Sequence, residues 1–123
     1  MSNIEIQKQP KNDLEDRTAR LAQRVRTFIK AVPKTVISIE DGKQVVRSSG
    51  SVGANYIEAN ESLSRKDFLM RAKICRKEAK ETRYWLRMFE DLPSELTKER
   101  DSLIQESTEL LKIFNAIISK FEV

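Results

Sequence analysis

Residues 64–89 read SRKDFLMRAKICRKEAKETRYWLRMF, and within them Phe68, Ala72, Cys75, Ala79, Thr82, Leu86 and Phe89 follow one another at steps of four and three. That rhythm keeps one face of an α-helix apolar over about six turns, whereas a strand would alternate every second residue. Ser64 and Asp67 supply the start. A Ser at the N-cap offers its oxygen to the free amide three residues on, and an acid in the first turn faces the positive end of the helix dipole. Pro93 bars continuation. A helix is therefore predicted over about 65–91.

The flanking stretches carry the same period. Upstream, Leu14, Leu21, Val25, Phe28 and Val32 form a stripe that Ala22 and Ile29 widen, with Asn12 or Asp13 as N-cap and Pro33 as the stop. This predicts a helix over about 14–31, preceded by a mobile tail, residues 1–11. Between these two, Ser38 with Asp41 resembles a capping box and opens a helix over about 39–61, with Val45, Ser49, Val52, Tyr56 and Ala59 on one face. Gly50 and Gly53 each disfavour a helix by about 1 kcal/mol relative to Ala. The periodicity nevertheless runs through both, so a continuous helix is expected whose neighbours pack too closely for larger side chains. Downstream, residues 93–95 open a helix over about 95–121. Its seam is Leu96, Leu103, Leu110, Phe114, Ile117 and Phe121, with Ile104, Leu111 and Ile118 in a second row one residue along. Four amphipathic helices with short connections predict an all-α fold, an up-and-down antiparallel four-helix bundle spanning residues 12–123.

The composition agrees. A chain of 123 residues suits one domain, and with 34% charged residues and only three Gly and three Pro it favours long helices over a turn-rich sheet sandwich. No apolar run approaches the roughly 18 residues of a membrane span, and the N-terminus lacks the apolar segment of a secretory signal. A single cysteine, Cys75, makes no internal disulfide, so a reducing, cytoplasmic location is expected, with no membrane partner.

The chain has no histidine. This removes the commonest general base, the usual partner of a Ser or Cys nucleophile, and the commonest metal ligand. Cys75 lies on the apolar seam and reads as a small buried hydrophobe. No phosphate-cradling glycine loop is present, since Gly42-Lys43 lacks the spaced upstream Gly. Glu78 and Glu81 sit among lysines and arginines, as on a solvated face. No catalytic residue, metal, cofactor or small-molecule substrate is expected, and the chain reads as a non-enzyme.

Charge is the remaining signal. The net charge is +4, but residues 65–89 carry nine basic and three acidic side chains, and residues 90–123 four basic and eight acidic. Lys73, Arg76, Lys80, Arg83 and Arg87 repeat the four-three rhythm one residue beyond the core seam. They form a stripe about 20 Å long. Arg17, Arg20 and Arg24 form a shorter stripe on the first helix. Such rows track a phosphate backbone by releasing counterions. A solvated face and a dock for an acidic partner protein are the competing readings, and no base-reading signature accompanies the stripe. On the other flank, Ile74, Trp85 and Met88, with Ile104, Leu111 and Ile118, offer more apolar surface than a small bundle needs. They read as a subunit interface of a homo-oligomer.

Residues 46–60 (VRSSGSVGANYIEAN) followed by residues 64–89 strongly resemble the bacterial four-helix-bundle proteins encoded in 23S rRNA intervening sequences. The likeness rests on Ala54-Asn55 with Glu58, on Lys66-Asp67-Phe68 at the helix entry, and on the stretch from Glu78 to Leu86. It covers the second and third helices closely and the other two by pattern. Many relatives have Pro at the position of Gly53 and Gly at that of Ala59, departures that touch helix geometry. The resemblance implies a compact bundle assembling into a ring-shaped homopentamer. A related protein, the accessory protein of diversity-generating retroelements, is similarly basic and works with a reverse transcriptase and RNA. Nucleic-acid association is thereby favoured over the other readings of the stripe.

Overall fold

The computed structural model describes residues 10–122, with side chains from Asp13 onward, and consists of four helices. They are α1, Pro10–Ala31; α2, Val36–Asn60; α3, Arg65–Leu86; and α4, Ser94–Phe121. Each packs on its sequence neighbour, and α1 closes the ring on α4, while across the core Tyr56 of α2 meets Phe114 of the diagonal α4 edge to face, with ring centroids 6.0 Å apart. Short connections and a closed ring make this the up-and-down antiparallel bundle that the periodicity predicts.

Helix ends depart from the sequence reading in informative ways. The first helix begins at Pro10 rather than Leu14, so residues 10 and 11 of the expected tail are helical and the rest of the tail lies outside the described residues. Proline suits this first position, since its missing N–H would be unpaired there anyway. The second helix begins at Val36, and its N-cap is Thr35, not Ser38. Thr35 Oγ1 accepts from the Ser38 amide at 3.0 Å, while Ser38 Oγ accepts from the Thr35 amide at 2.8 Å. Ser38 thus takes the place Glu or Gln usually holds in a reciprocal capping box. At Ser64 the expected cap forms, its hydroxyl accepting from the Asp67 amide at 3.0 Å.

The third helix ends at Leu86, five residues short of the expected end. The Met88 and Phe89 amides reach back only three residues, to the carbonyls of Trp85 and Leu86, and Asp91 follows with φ of 57°. This tightening turns Phe89 inward. Its ring meets Phe28 edge to face at 5.5 Å, and the Arg100 guanidinium donates to its carbonyl at 2.6 Å.

The core takes Leu21, Val25 and Phe28 from α1 and Val32 just past its end, Val45, Val52 and Tyr56 from α2, Cys75, Ala79 and Leu86 from α3, and Leu103, Leu110 and Phe114 from α4. Where α2 meets α3 the residues are small. The Cys75 thiol donates to the Val52 carbonyl at 3.4 Å, and the Thr82 hydroxyl, donating to Glu78 O at 2.8 Å, lies 2.9 Å from that of Ser48. Side chains of this size let the two backbones approach. Against α1 the same role falls to Gly53, where a Cβ would stand 2.8 Å from Thr18 Oγ1. Accordingly, α2 runs unbroken through Gly50 and Gly53.

Candidate nucleic-acid interface

The basic residues singled out from the sequence divide by what surrounds them. On α1, Arg17 is clamped. Its Nε donates to Glu106 Oε2 at 2.6 Å and its Nη2 to Glu106 Oε1 at 3.0 Å and to Glu109 Oε1 at 2.6 Å. Hydrogen bonding to Glu106 raises the Arg17 pKa despite the cost of burial. Hydrogen bonds from Gln105 and Arg17 hold the Glu109 carboxyl below its usual range. Arg24 donates to both Glu99 oxygens, at 3.2 and 3.3 Å, and to Ser102 Oγ at 2.8 Å. Only Arg20 of this trio makes no ion pair among the described residues. The α1 stripe therefore fastens α1 to α4 instead of offering a row of free cations.

Along α3 the stripe splits in two. Arg76 and Arg83 lean onto α4, donating to Asn115 Oδ1 at 3.0 Å and to Thr108 Oγ1 at 3.4 Å. Lys73, Lys80 and Arg87 stay exposed. Lys73 pairs with Glu122 at 3.0 Å, and Lys80 and Arg87 make no ion pair among the described residues. Between α3 and α4 lies an open groove of about 370 Å³ lined by Lys73, Arg76, Lys77, Lys80, Leu111 and Asn115. Four cations meet there, and no carboxylate is among the lining residues. Asn115 holds Arg76 at its wall, and the Leu111 side chain supplies an apolar surface beside the charges.

Lys77, Leu111 and Asn115 complete a groove that the stripe alone did not define. Lys77 lies beside Lys73, Arg76 and Lys80 on α3, and the register of α4 against α3 decides which residues form the opposite wall. Leu111, expected in a subunit interface, lines this groove.

The remaining expected interface residues do not form one exposed patch. Ile118 is 2% exposed and belongs to the core, so its assignment to a subunit surface is corrected. Trp85 and Ile104 are half-buried against the core, Ile74 is half-buried, and Met88 is exposed. The large apolar side chains most open to solvent include Val36 (82%) and Ile37 (72%), with Ile39 nearby, at the start of α2. Ile37 and Met88 share a concavity of about 360 Å³ where the α1–α2 connection meets the α3–α4 loop. The sequence reading missed this end because it placed residues 36 and 37 in a connection.

Cys75 lies fully buried, and burial pushes its thiol up to about 12. Among the described residues no helix is long and apolar enough to cross a membrane, and no three His, Cys, Asp or Glu side chains converge as a metal site would require.

The whole arrangement has a solved counterpart. A protein of unknown function from the S23 ribosomal protein family of Bacteroides thetaiotaomicron VPI-5482 superposes with a TM-score of 0.74 at 31% identity, over 90% of this chain and 99% of that one. No curated protein gives a match. The family model for 23S rRNA-intervening sequence proteins matches residues 11–116, which takes in most of all four helices and the α3–α4 groove, and the chain belongs to that family.

Proposed function

We propose that the protein is a non-catalytic, homopentameric bundle that acts as a nucleic-acid-associated adaptor, binding RNA or DNA without base specificity along α3. The observation that carries this reading is the groove between α3 and α4, where Lys73, Arg76, Lys77 and Lys80 meet with no lining carboxylate. Cations crowded on one concave wall are stabilised by a polyanion, whose condensed counterions are released on contact. The α1 arginines are left out of the binding surface, because Glu99, Glu106 and Glu109 already hold two of them. The non-catalytic part rests on the absence of histidine and on the high thiol pKa of Cys75. The pentamer comes from the family resemblance. Its contacts are placed at the apolar end, with Val36, Ile37, Ile39 and Met88.

The test is a titration of the protein against labelled RNA and DNA at low and near-physiological salt, with its mass followed by light scattering. Binding is expected to weaken steeply with salt. Four duplex phosphates per subunit would give a slope of about −3.6 in log K against log salt. Reversing Lys73, Lys77 and Lys80 to Glu together should abolish binding with the helix content unchanged. A mass of five times the 14.3 kDa chain is expected, falling towards one chain in Ile37→Glu. Undiminished binding by the folded triple variant would refute the groove. No binding at low salt would turn attention to acidic protein partners.

A further inference from the structure

The solvent-facing line of α3 carries more than charge. Residues 66, 70, 73, 77, 80, 84 and 87 succeed one another at steps of three and four, and all are exposed. Five of them are cations. The others are Met70 and Tyr84, large apolar side chains left in water among the lysines. A face whose only task is solvation has no use for them, although a single exposed apolar residue proves little by itself.

Tyr84 is the informative one. Its ring meets Trp85 edge to face, with centroids 5.0 Å apart and planes at 81°. Trp85 in turn packs against the core. An edge-to-face contact uses at most one face of the Tyr84 ring, and the residue is 52% exposed, so a flat π-surface is presented to solvent. Because Trp85 holds the ring, little side-chain freedom remains to be lost when something stacks on it. Tyr84 stands one helical turn, about 6 Å along the axis, from Lys80, the last cation of the groove.

We propose that this line is a single-strand site, with an unpaired base stacked on Tyr84 while the sugar-phosphate backbone follows Lys80, Lys77 and Lys73 along the groove. The protein accordingly prefers single-stranded RNA or DNA to duplex. Bases in a duplex already stack on one another and have no free face to offer, so a duplex engages the lysines alone. A single strand engages both, and stacking on an aromatic ring tolerates any base. This inference rests on the nucleic-acid reading above and adds to it the strandedness of the ligand and a residue with no charge.

The experiment uses the full chain and three fluorescein-labelled probes of equal length: oligothymidylate, oligouridylate and a mixed-sequence DNA duplex. At low salt the single strands are expected to bind more tightly than the duplex. Tyr84→Ala should weaken single-strand binding roughly tenfold, leave duplex binding and the salt slope unchanged, and be reversed by Tyr84→Phe, which restores the ring. Circular dichroism and a thermal melt establish that each variant is folded. Equal or tighter binding of the duplex, or full single-strand affinity in folded Tyr84→Ala, overturns the single-strand site and leaves the charge-based reading standing. Failure of all three probes to bind overturns both.

Discussion

Gly50 and Gly53, two of the three glycines of α2, look alike by sequence, and the structure gives them opposite fates on substitution. Replacing Gly by Ala in a helix interior gains about 1 kcal/mol, because alanine loses less backbone freedom on folding. At Gly50 the nearest atom to an added Cβ is Arg26 Nη2 at 3.6 Å, an ordinary contact with the end of a flexible side chain. Gly50→Ala should therefore keep nearly the whole gain, raising Tm by about 3–5 °C for a chain of this size. At Gly53 the same Cβ would lie 2.8 Å from Thr18 Oγ1 and 3.2 Å from Thr18 Cβ. Thr18 has little freedom to give way, being buried with its hydroxyl bonded to Glu15 O at 2.9 Å. Overpacking of this kind costs about 1–3 kcal/mol, so Gly53→Ala should be neutral to destabilising by about 2 kcal/mol. Thr18→Ala removes the closest atom, and in that background Gly53→Ala should cost less, with a coupling of about 1 kcal/mol. The assay is thermal and urea unfolding of the four variants and wild type at one protein concentration, because the Tm of any protein that associates varies with concentration. A Gly53→Ala variant as stabilised as Gly50→Ala, with no coupling to Thr18, would refute the close approach of α1 to α2.

Three further outcomes follow from side-chain environments. Arg17→Gln should cost about 1–2 kcal/mol by removing charged hydrogen bonds to Glu106 and Glu109, whereas Arg20→Gln should change stability by less than about 0.5 kcal/mol, both by urea unfolding. Cys75 should resist a thiol reagent at mildly alkaline pH in the native protein and react once urea unfolds it, and a native rate like that of a free thiol would contradict its burial. Glu78 is 8% exposed, its Oε1 lacks a partner among the described residues, and burial, then Glu81, raises its pKa. The fold thus favours the protonated acid, so stability is full below the unfolded carboxylate range near pH ~4 and declines as pH rises through the folded pKa. Melting curves should accordingly show Glu78→Gln stabilised over wild type at pH ~8 and not at pH ~4.

What the sequence made legible was whatever repeats along one helix. The seam of α3 from Ala72 to Phe89 is buried residue for residue, and its Ser64 cap forms as expected. Errors arose where local chemistry or slow geometric drift overrode the pattern. Pro93 was taken as the stop of α3, but the burial of Phe89 turns the chain earlier, and no rule of helix termination signals that turn. Ser38 was read as a cap because a Ser three residues after a Thr is a rarer version of the box than Glu or Gln. Ile118 was placed off the seam by counting in sevens from Leu96, Leu103 and Leu110. A straight helix drifts about 20° per heptad against that count. By the last turns of a 28-residue helix the buried line has moved from Ile117 towards Ile118.

The candidate site was legible in its charges and illegible in their partners. Arg17 and Glu106 are 89 residues apart in sequence and Arg24 and Glu99 are 75 apart, so only the docking of α1 on α4 reveals which cations are neutralised. Segment totals alone suggest that the eight acids of residues 90–123 offset the nine basic residues of 65–89. The faces of α4 decide otherwise. Glu99, Glu106 and Glu109 lie on the side that meets α1, while Thr108, Leu111 and Asn115 lie on the side that meets α3. Side chains a few residues apart on α4 thus serve two neighbours with different chemistry, fastening α1 by ion pairs and giving α3 an uncharged wall. Among the described residues Glu122, at the far end, is the one acid of that segment paired with the stripe, through Lys73. Among the described residues the other cations of the groove, Arg76, Lys77 and Lys80, make no ion pair, because α4 turns Glu99, Glu106 and Glu109 towards α1.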